Sequence, residues 1–147
     1  MVTGLLMTPW PLALAVTAPL AGRLADRLPT AMMCFTGASV LAAALLALVL
    51  LPGSASVVAL GLAVGLAGAG FGVFMTPNNR TMLGAAPMAR SGGAGGMQAT
   101  ARLLGQTLGT TLVAVAFQVG GGPKLALAAG VVFALAAATF SLVRRRL

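Results

Sequence analysis

Gln98, Arg102, Gln106 and Thr110 recur at four-residue spacing. In a helix that spacing puts them on one slowly drifting face. Amides, a guanidinium and a hydroxyl in such a line can hydrogen-bond a polar ligand, or line a water-filled path through an apolar protein. Gly105 and Gly109 lie beside the line, where missing Cβ atoms admit a close helix neighbour. Arg102 also has a plainer reading, its long stem carrying the charge out to an interface. A second group, Phe71, Phe74, Met75 and Asn78, combines adaptable apolar surface with one amide, as a site for an amphipathic ligand does. Ordinary helix packing is the plainer reading there. The third group is Arg23, Asp26 and Arg27, where Asp26 is the only acidic residue of 147. As a loop residue, Asp26 is expected to cap the helix that follows or to pair with Arg23 or Arg27.

The rest of the inventory excludes most chemistry. The sequence has no His, no Tyr and one Cys. No nucleophile–base pair and no metal cluster can be assembled from it. The expectation is therefore no enzyme, no metal and no cofactor. Cys34 has no second Cys to bridge to and reads as a small buried apolar residue.

Composition dictates what must position these groups. Hydrophobic residues make up 59% of the chain and charged residues 7%, with a mean hydropathy of +1.04. Soluble domains carry about 25% charged residues. The apolar residues fall in runs of about 20, the length needed to cross the hydrocarbon core. Ala and Leu dominate without the strict alternation of a barrel strand. The fold class is thus an all-α polytopic membrane protein, with helices expected at about 4–22, 31–51, 56–77, 93–118 and 125–143.

Pro9, Pro11 and Pro19 interrupt the first helix, where Thr8 and Thr17 offer hydroxyls to the freed carbonyls and Trp10 is placed to pack. Pro52-Gly53-Ser54 and the stretch Gly120 to Lys124 read as turns. Gly61/Gly65 and Gly68/Gly72 are small-residue pairs that let helices approach closely. From Thr76 to Gly96, with Asn78, Asn79, Arg80, Pro87 and Arg90, the composition predicts the longest polar connection.

The net charge is +8, yet the basic residues are scattered between apolar runs and not gathered on one water-facing surface, so nucleic acid is not an expected partner. Their distribution follows the positive-inside rule. Arg23, Arg27, Arg80, Arg90 and Arg144 to Arg146 alternate with Lys124 alone. This predicts a multi-pass protein of the cell inner (plasma) membrane, C-terminus cytoplasmic and N-terminus outside, with lipid as partner. No basic region precedes the first apolar run, so no secretory signal is read, and the beginning looks like the middle of a longer membrane protein.

Two stretches resemble a known family. Gly22-Arg23-Leu24-Ala25-Asp26-Arg27 is similar to the cytoplasmic loop motif of the major facilitator superfamily, G-x-x-x-D-R-x-G-R followed by a basic residue. Leu28-Pro29-Thr30 stands where the family has its second Gly and Arg. Phe74-Met75-Thr76-Pro77-Asn78-Asn79, then Pro87, Arg90, Gly92 and the opening of the fourth helix into Arg102-Leu103-Leu104-Gly105, resemble the fourteen-helix drug:proton antiporter branch.

The resemblance implies the last five helices of a C-terminal six-helix bundle. Gly22, Asp26 and Arg27 would form the loop motif, and Asp26 would be one side of a latch to the other bundle. The implied function is part of a multidrug-efflux secondary transporter, proton-coupled only in the full-length protein. Partners would be the N-terminal half or a second subunit, and a small amphipathic substrate. Phe74, Asn78, Arg102 and Gln106 are the residues expected along its cavity or translocation path. No carboxylate falls within an expected span, so proton antiport by these residues alone is physically implausible. That leaves a second class open: a membrane protein that transports nothing, as an inert remnant or as a structural or regulatory partner.

Overall fold

The computed structural model describes residues 2–143, save the side chains at 2, 3, 5 and 89. Its helices are α1 (Val2–Met7), α2 (Pro9–Leu24), α3 (Thr30–Leu50), α4 (Val57–Gly84), α5 (Ser91–Gln118) and α6 (Gly122–Val143), with a 3-10 turn at Met88–Arg90. There is no strand among the described residues. Three helices, α3, α4 and α6, are long and apolar enough to cross a membrane. With α1 and α2 taken as one segment broken at Thr8, the chain makes five helical passes.

α4 is the central helix, packed most extensively against α3 on one side and α2 on the other; α3 in turn packs on α6. Glycines set these distances. A Cβ on Gly70 would sit 2.6 Å from the Leu41 backbone nitrogen and 2.9 Å from the Gly37 carbonyl. One on Gly37 would sit 2.8 Å from the Gly70 carbonyl. The two backbones therefore touch where α3 crosses α4, the arrangement that small residues permit in membranes. On the other side, a Cβ on Gly68 would lie 2.6 Å from the Trp10 carbonyl, and one on Gly72 would collide with Thr17 Oγ1. Gly61 and Gly65 face Pro9 at ordinary contact distance. Trp10 packs on Phe71, ring centroids 5.8 Å apart, as its depth in the first apolar run predicts. Cys34 is buried in α3 and donates its thiol hydrogen to the Phe74 carbonyl at 3.7 Å.

Local signals explain most ends. The Ser56 side chain caps α4 by accepting from the Ala59 backbone N–H at 3.2 Å. α5 closes in a Schellman turn: Gly120 takes φ +76°, its N–H reaches the Phe117 carbonyl, and the Gly121 N–H reaches that of Ala116. Pro123 then sits in the first turn of α6, where its missing N–H costs nothing.

Three local expectations are corrected. α4 does not stop at Pro77 but continues to Gly84, so the connection to α5 shrinks to 85–90. Pro77 is among the most buried side chains, Thr76 Oγ1 donates to the Gly72 carbonyl and Thr81 Oγ1 to that of Pro77. Packing on both faces holds the helix across the one hydrogen bond that proline removes. At 28 residues α4 is about 42 Å long, well beyond a hydrocarbon core of roughly 30 Å. Second, Thr8 and Thr17 bond the Gly4 and Ala13 carbonyls one turn back, not the ones their neighbouring prolines release. Third, a Cβ at Gly105 or Gly109 would meet nothing within 4 Å, so among the described residues no close helix contact forms there; Gly109 instead lines an open groove against Ala126, Ala129 and Gly130 of α6. α5 buries only Ala116 and touches α6 and α4 lightly.

Candidate functional site

Two of the groups singled out in the sequence meet across α4 and α5. Phe71, Phe74 and Met75 form the apolar wall of a cleft of about 280 Å³. Asn78 and Asn79 continue that wall from α4, and Gln98 and Arg102 face it from α5. The α-helical period explains the gathering. Phe71, Phe74/Met75, Asn78 and Met82 recur at three and four residues on α4, and Gln98 and Arg102 at four on α5. Asn78 donates its amide Nδ2–H to Met82 Sδ at 3.7 Å, which turns the amide along the helix.

Gln106 is not brought into this cleft. It lies one turn farther along α5, in a shallow groove of about 460 Å³ that also includes Gln98 and Arg102. The polar line thus begins in the α4–α5 cleft and runs out along the uncovered face of α5, ending at exposed Thr110. Thr110 spends its hydroxyl on the Gln106 and Thr107 carbonyls. Phe74 and Asn78 also line a smaller groove on the other side of α4, with Phe140 and Ser141 of α6. Nothing in the local sequence of α6 marks those two; the packing of α6 on α3 brings them across a groove from α4. Asn79 and Met82 complete the cleft from the part of α4 that extends beyond its expected end at 77.

The loop motif lies at one end of the bundle. Gly22 is half-buried, a Cβ there lying 3.9 Å from Thr76 Cγ2 on α4. Asp26 neither caps α3 nor pairs with Arg23 or Arg27. The α3 N-cap is Pro29, with no side-chain cap. Arg80 Nη1 instead donates to Asp26 Oδ1 at 2.6 Å, with both side chains about 60% exposed. The extension of α4 past Pro77 is what delivers Arg80 to this loop. Arg23 and Arg27 line a wide open groove beside Leu20 and Leu24, and neither makes a side-chain hydrogen bond among the described residues. An ion pair this exposed contributes about 0–1 kcal/mol.

The same end of the bundle carries Arg90 at the end of the α4–α5 connection, and Lys124 lies at the opposite end in the first turn of α6. Arg144, Arg145 and Arg146 lie outside the described residues.

The fold and its glycine-set crossings define an all-α membrane protein with a polar-sided cleft between two of its helices. Its relatives carry transporter names. The chain is 47% identical over 144 residues, 97% of its length, to "Uncharacterized transporter YebQ" of Escherichia coli (strain K12). It is 32% identical over 108 residues to "Multidrug resistance protein Stp" of Mycobacterium tuberculosis, and 32% over 110 residues to "Riboflavin transporter RibZ" of Clostridioides difficile (strain 630), about three quarters of the chain in each. It spans 32% of the first relative's length, 20% of the second and 24% of the third. No family model matches the chain.

Proposed function

We propose that the chain forms part of a secondary active transporter of the major facilitator superfamily, in the drug:proton antiporter branch, and supplies five helices of its C-terminal six-helix bundle. The observation that carries this is the 47% identity to a transporter-named relative along 97% of the chain. The loop motif Gly22, Asp26, Arg27 and the cleft that gathers Phe74, Asn78 and Arg102 agree with it. The chain acts as no enzyme in this reading. The rest of the transporter, or a second subunit, covers α5 and supplies the proton carrier, since Asp26 is the only carboxylate side chain and sits at a helix end with Arg80. Transport would follow the rocking of two bundles about a site between them.

The membrane is the cell inner membrane, with the arginine-bearing end in the cytoplasm. Arg23, Arg27, Arg80 and Arg90 lie at that end against Lys124 at the other, which is the bias that orients multi-pass proteins. Reporter fusions at Ser54 and after the last helix should report opposite sides; the same side for both would overturn the topology.

The functional test is efflux. Cells expressing the chain alone should accumulate a fluorescent dye as control cells do. Joined to the remaining length of its YebQ relative, the chain should lower accumulation, and a protonophore should abolish the difference. A correctly inserted joined protein with no efflux of any dye or flavin would remove the transporter reading.

A further inference from the structure

The charges around the α4–α5 cleft identify the kind of molecule it can hold. Arg102 lines both the cleft and the adjoining groove on α5. It makes no side-chain hydrogen bond or ion pair among the described residues. Among the described residues the one carboxylate side chain, Asp26, is held by Arg80 at 2.6 Å. Arg102 is exposed, so its guanidinium is open to an anion that approaches the cleft. The other polar groups of the cleft are the amides of Asn78, Asn79 and Gln98, which suit neutral polar edges. Opposite them stand the rings of Phe71 and Phe74 and the Met75 thioether, which suit a flat apolar body. Among the described residues the cleft's lining holds one Arg and no carboxylate, a charge that favours an anion over a cation.

We infer that the α4–α5 cleft binds anionic aromatic amphiphiles, with the carboxylate or sulfonate on Arg102 and the ring system against Phe71 and Phe74. This rests on the transporter reading and assigns its substrate class. The cleft's volume of about 280 Å³ is near the lower end of small-molecule sites, roughly 300–1,000 Å³. One bicyclic aromatic with an acidic group fits that size. Arg supports this recognition better than Lys because its planar fork meets a carboxylate or sulfonate with two parallel hydrogen bonds.

The test compares two probes of similar size on the full chain in nanodiscs of zwitterionic lipid, with empty discs subtracted: 8-anilinonaphthalene-1-sulfonate, which is anionic, and ethidium, which is cationic. Trp10, the only tryptophan, packs on Phe71 and is a built-in donor for energy transfer to a probe in the cleft. The anion should bind at least about tenfold more tightly than the cation. Arg102→Gln should erase that preference, weakening the anion by about tenfold, the loss expected for a hydrogen bond to a charged group. Arg102→Lys should retain part of it. Phe74→Ala, which changes no charge, should weaken the anion several-fold and serves as the second variant if Arg102→Gln does not insert. Equal or tighter binding of ethidium overturns the inference. So does anion binding unchanged in both Arg102→Gln and Phe74→Ala, which would put the sulfonate elsewhere, as at Arg23 and Arg27. Either result leaves efflux by the joined protein untouched, and absent efflux would leave the probe preference standing, so the two readings fail separately.

Discussion

Glycine occurs at the same kind of spacing on α4 and on α5, with opposite consequences. Gly68, Gly70 and Gly72 on α4 each admit a neighbouring helix so closely that a Cβ would press on backbone or on Thr17. Gly105 and Gly109 on α5 face open space. α4 is packed on two sides and buries six residues, five of them Gly or Ala and the sixth Pro77; α5, of the same length, buries one. A small-residue pair in a sequence therefore states only that a close approach is possible. Whether this chain uses it depends on which partner the topology brings near. α4 has its partners within the chain, and α5 has polar groups, glycines and exposed leucines without one.

The sharpest way to break the contrast is at the α3–α4 crossing. Gly70→Val should be strongly damaging, because even a Cβ would lie 2.6 Å from the Leu41 backbone nitrogen and no flexible side chain can give way. Gly70→Ala should cost about 1–3 kcal/mol as an overpacked core does, and Val more. Thermal unfolding in detergent, followed by helical circular dichroism, should show both, in that order. A Gly70→Val chain as stable as the parent would mean that the crossing does not form.

Next in size is the α2–α4 contact. Gly68→Ala puts a methyl 2.6 Å from the Trp10 carbonyl and 3.0 Å from its Cα. α2 should shift away, at a cost of about 1–2 kcal/mol. The 5.8 Å stacking of Trp10 on Phe71 should loosen with it. Trp10 fluorescence should change in emission maximum and in its accessibility to a membrane-soluble quencher. An unaltered spectrum would show that the N-terminal segment is not held where α4 places it.

The pairing of Asp26 with Arg80 comes third and is small. Asp26→Asn should change stability by about 0–1 kcal/mol, since both partners are about 60% exposed. In the joined protein the same change should alter transport more than it alters folding if the loop serves as a latch. Equal, negligible effects on both would assign the pair no role beyond solvation.

These comparisons also show what could be read from residues alone. Five apolar runs, the turns at Pro52 and Gly120, and the packing role of Trp10 follow from length, punctuation and depth in the run, all local properties. The cleft was half legible: the α4 wall and the α5 line were each found by helical period. That Gln98 and Arg102 face Phe74 and Asn78, while Gln106 does not, is set by how α5 leans on α4. Phe140 and Ser141 were invisible for the same reason. Pro77 misled because a proline inside an apolar helix followed by two Asn reads as a stop, whereas burial on both sides of α4 carries the helix through it to Arg80. Asp26 followed from that error, its partner lying 54 residues away on a helix extension that the local composition argued against.

The smallest expected effect is the most telling one for α5. Gly105→Ala and Gly109→Ala together should not destabilise the chain on its own. The added methyls meet nothing within 4 Å, and replacing Gly by Ala inside a helix favours the helix by roughly 0.5–1 kcal/mol each. Unfolding of the isolated chain in detergent should therefore be unchanged or slightly raised. If α5 is covered by the remaining length of the transporter, the same double variant in the joined protein should lower its stability or its efflux, because those methyls would then stand between two helices. A double variant neutral in both settings would make the uncovered face of α5 a lipid-facing surface, and the glycines on it incidental. Opposite signs in the two settings would locate the partner of α5 outside these 147 residues, on the face that carries Gly105 and Gly109.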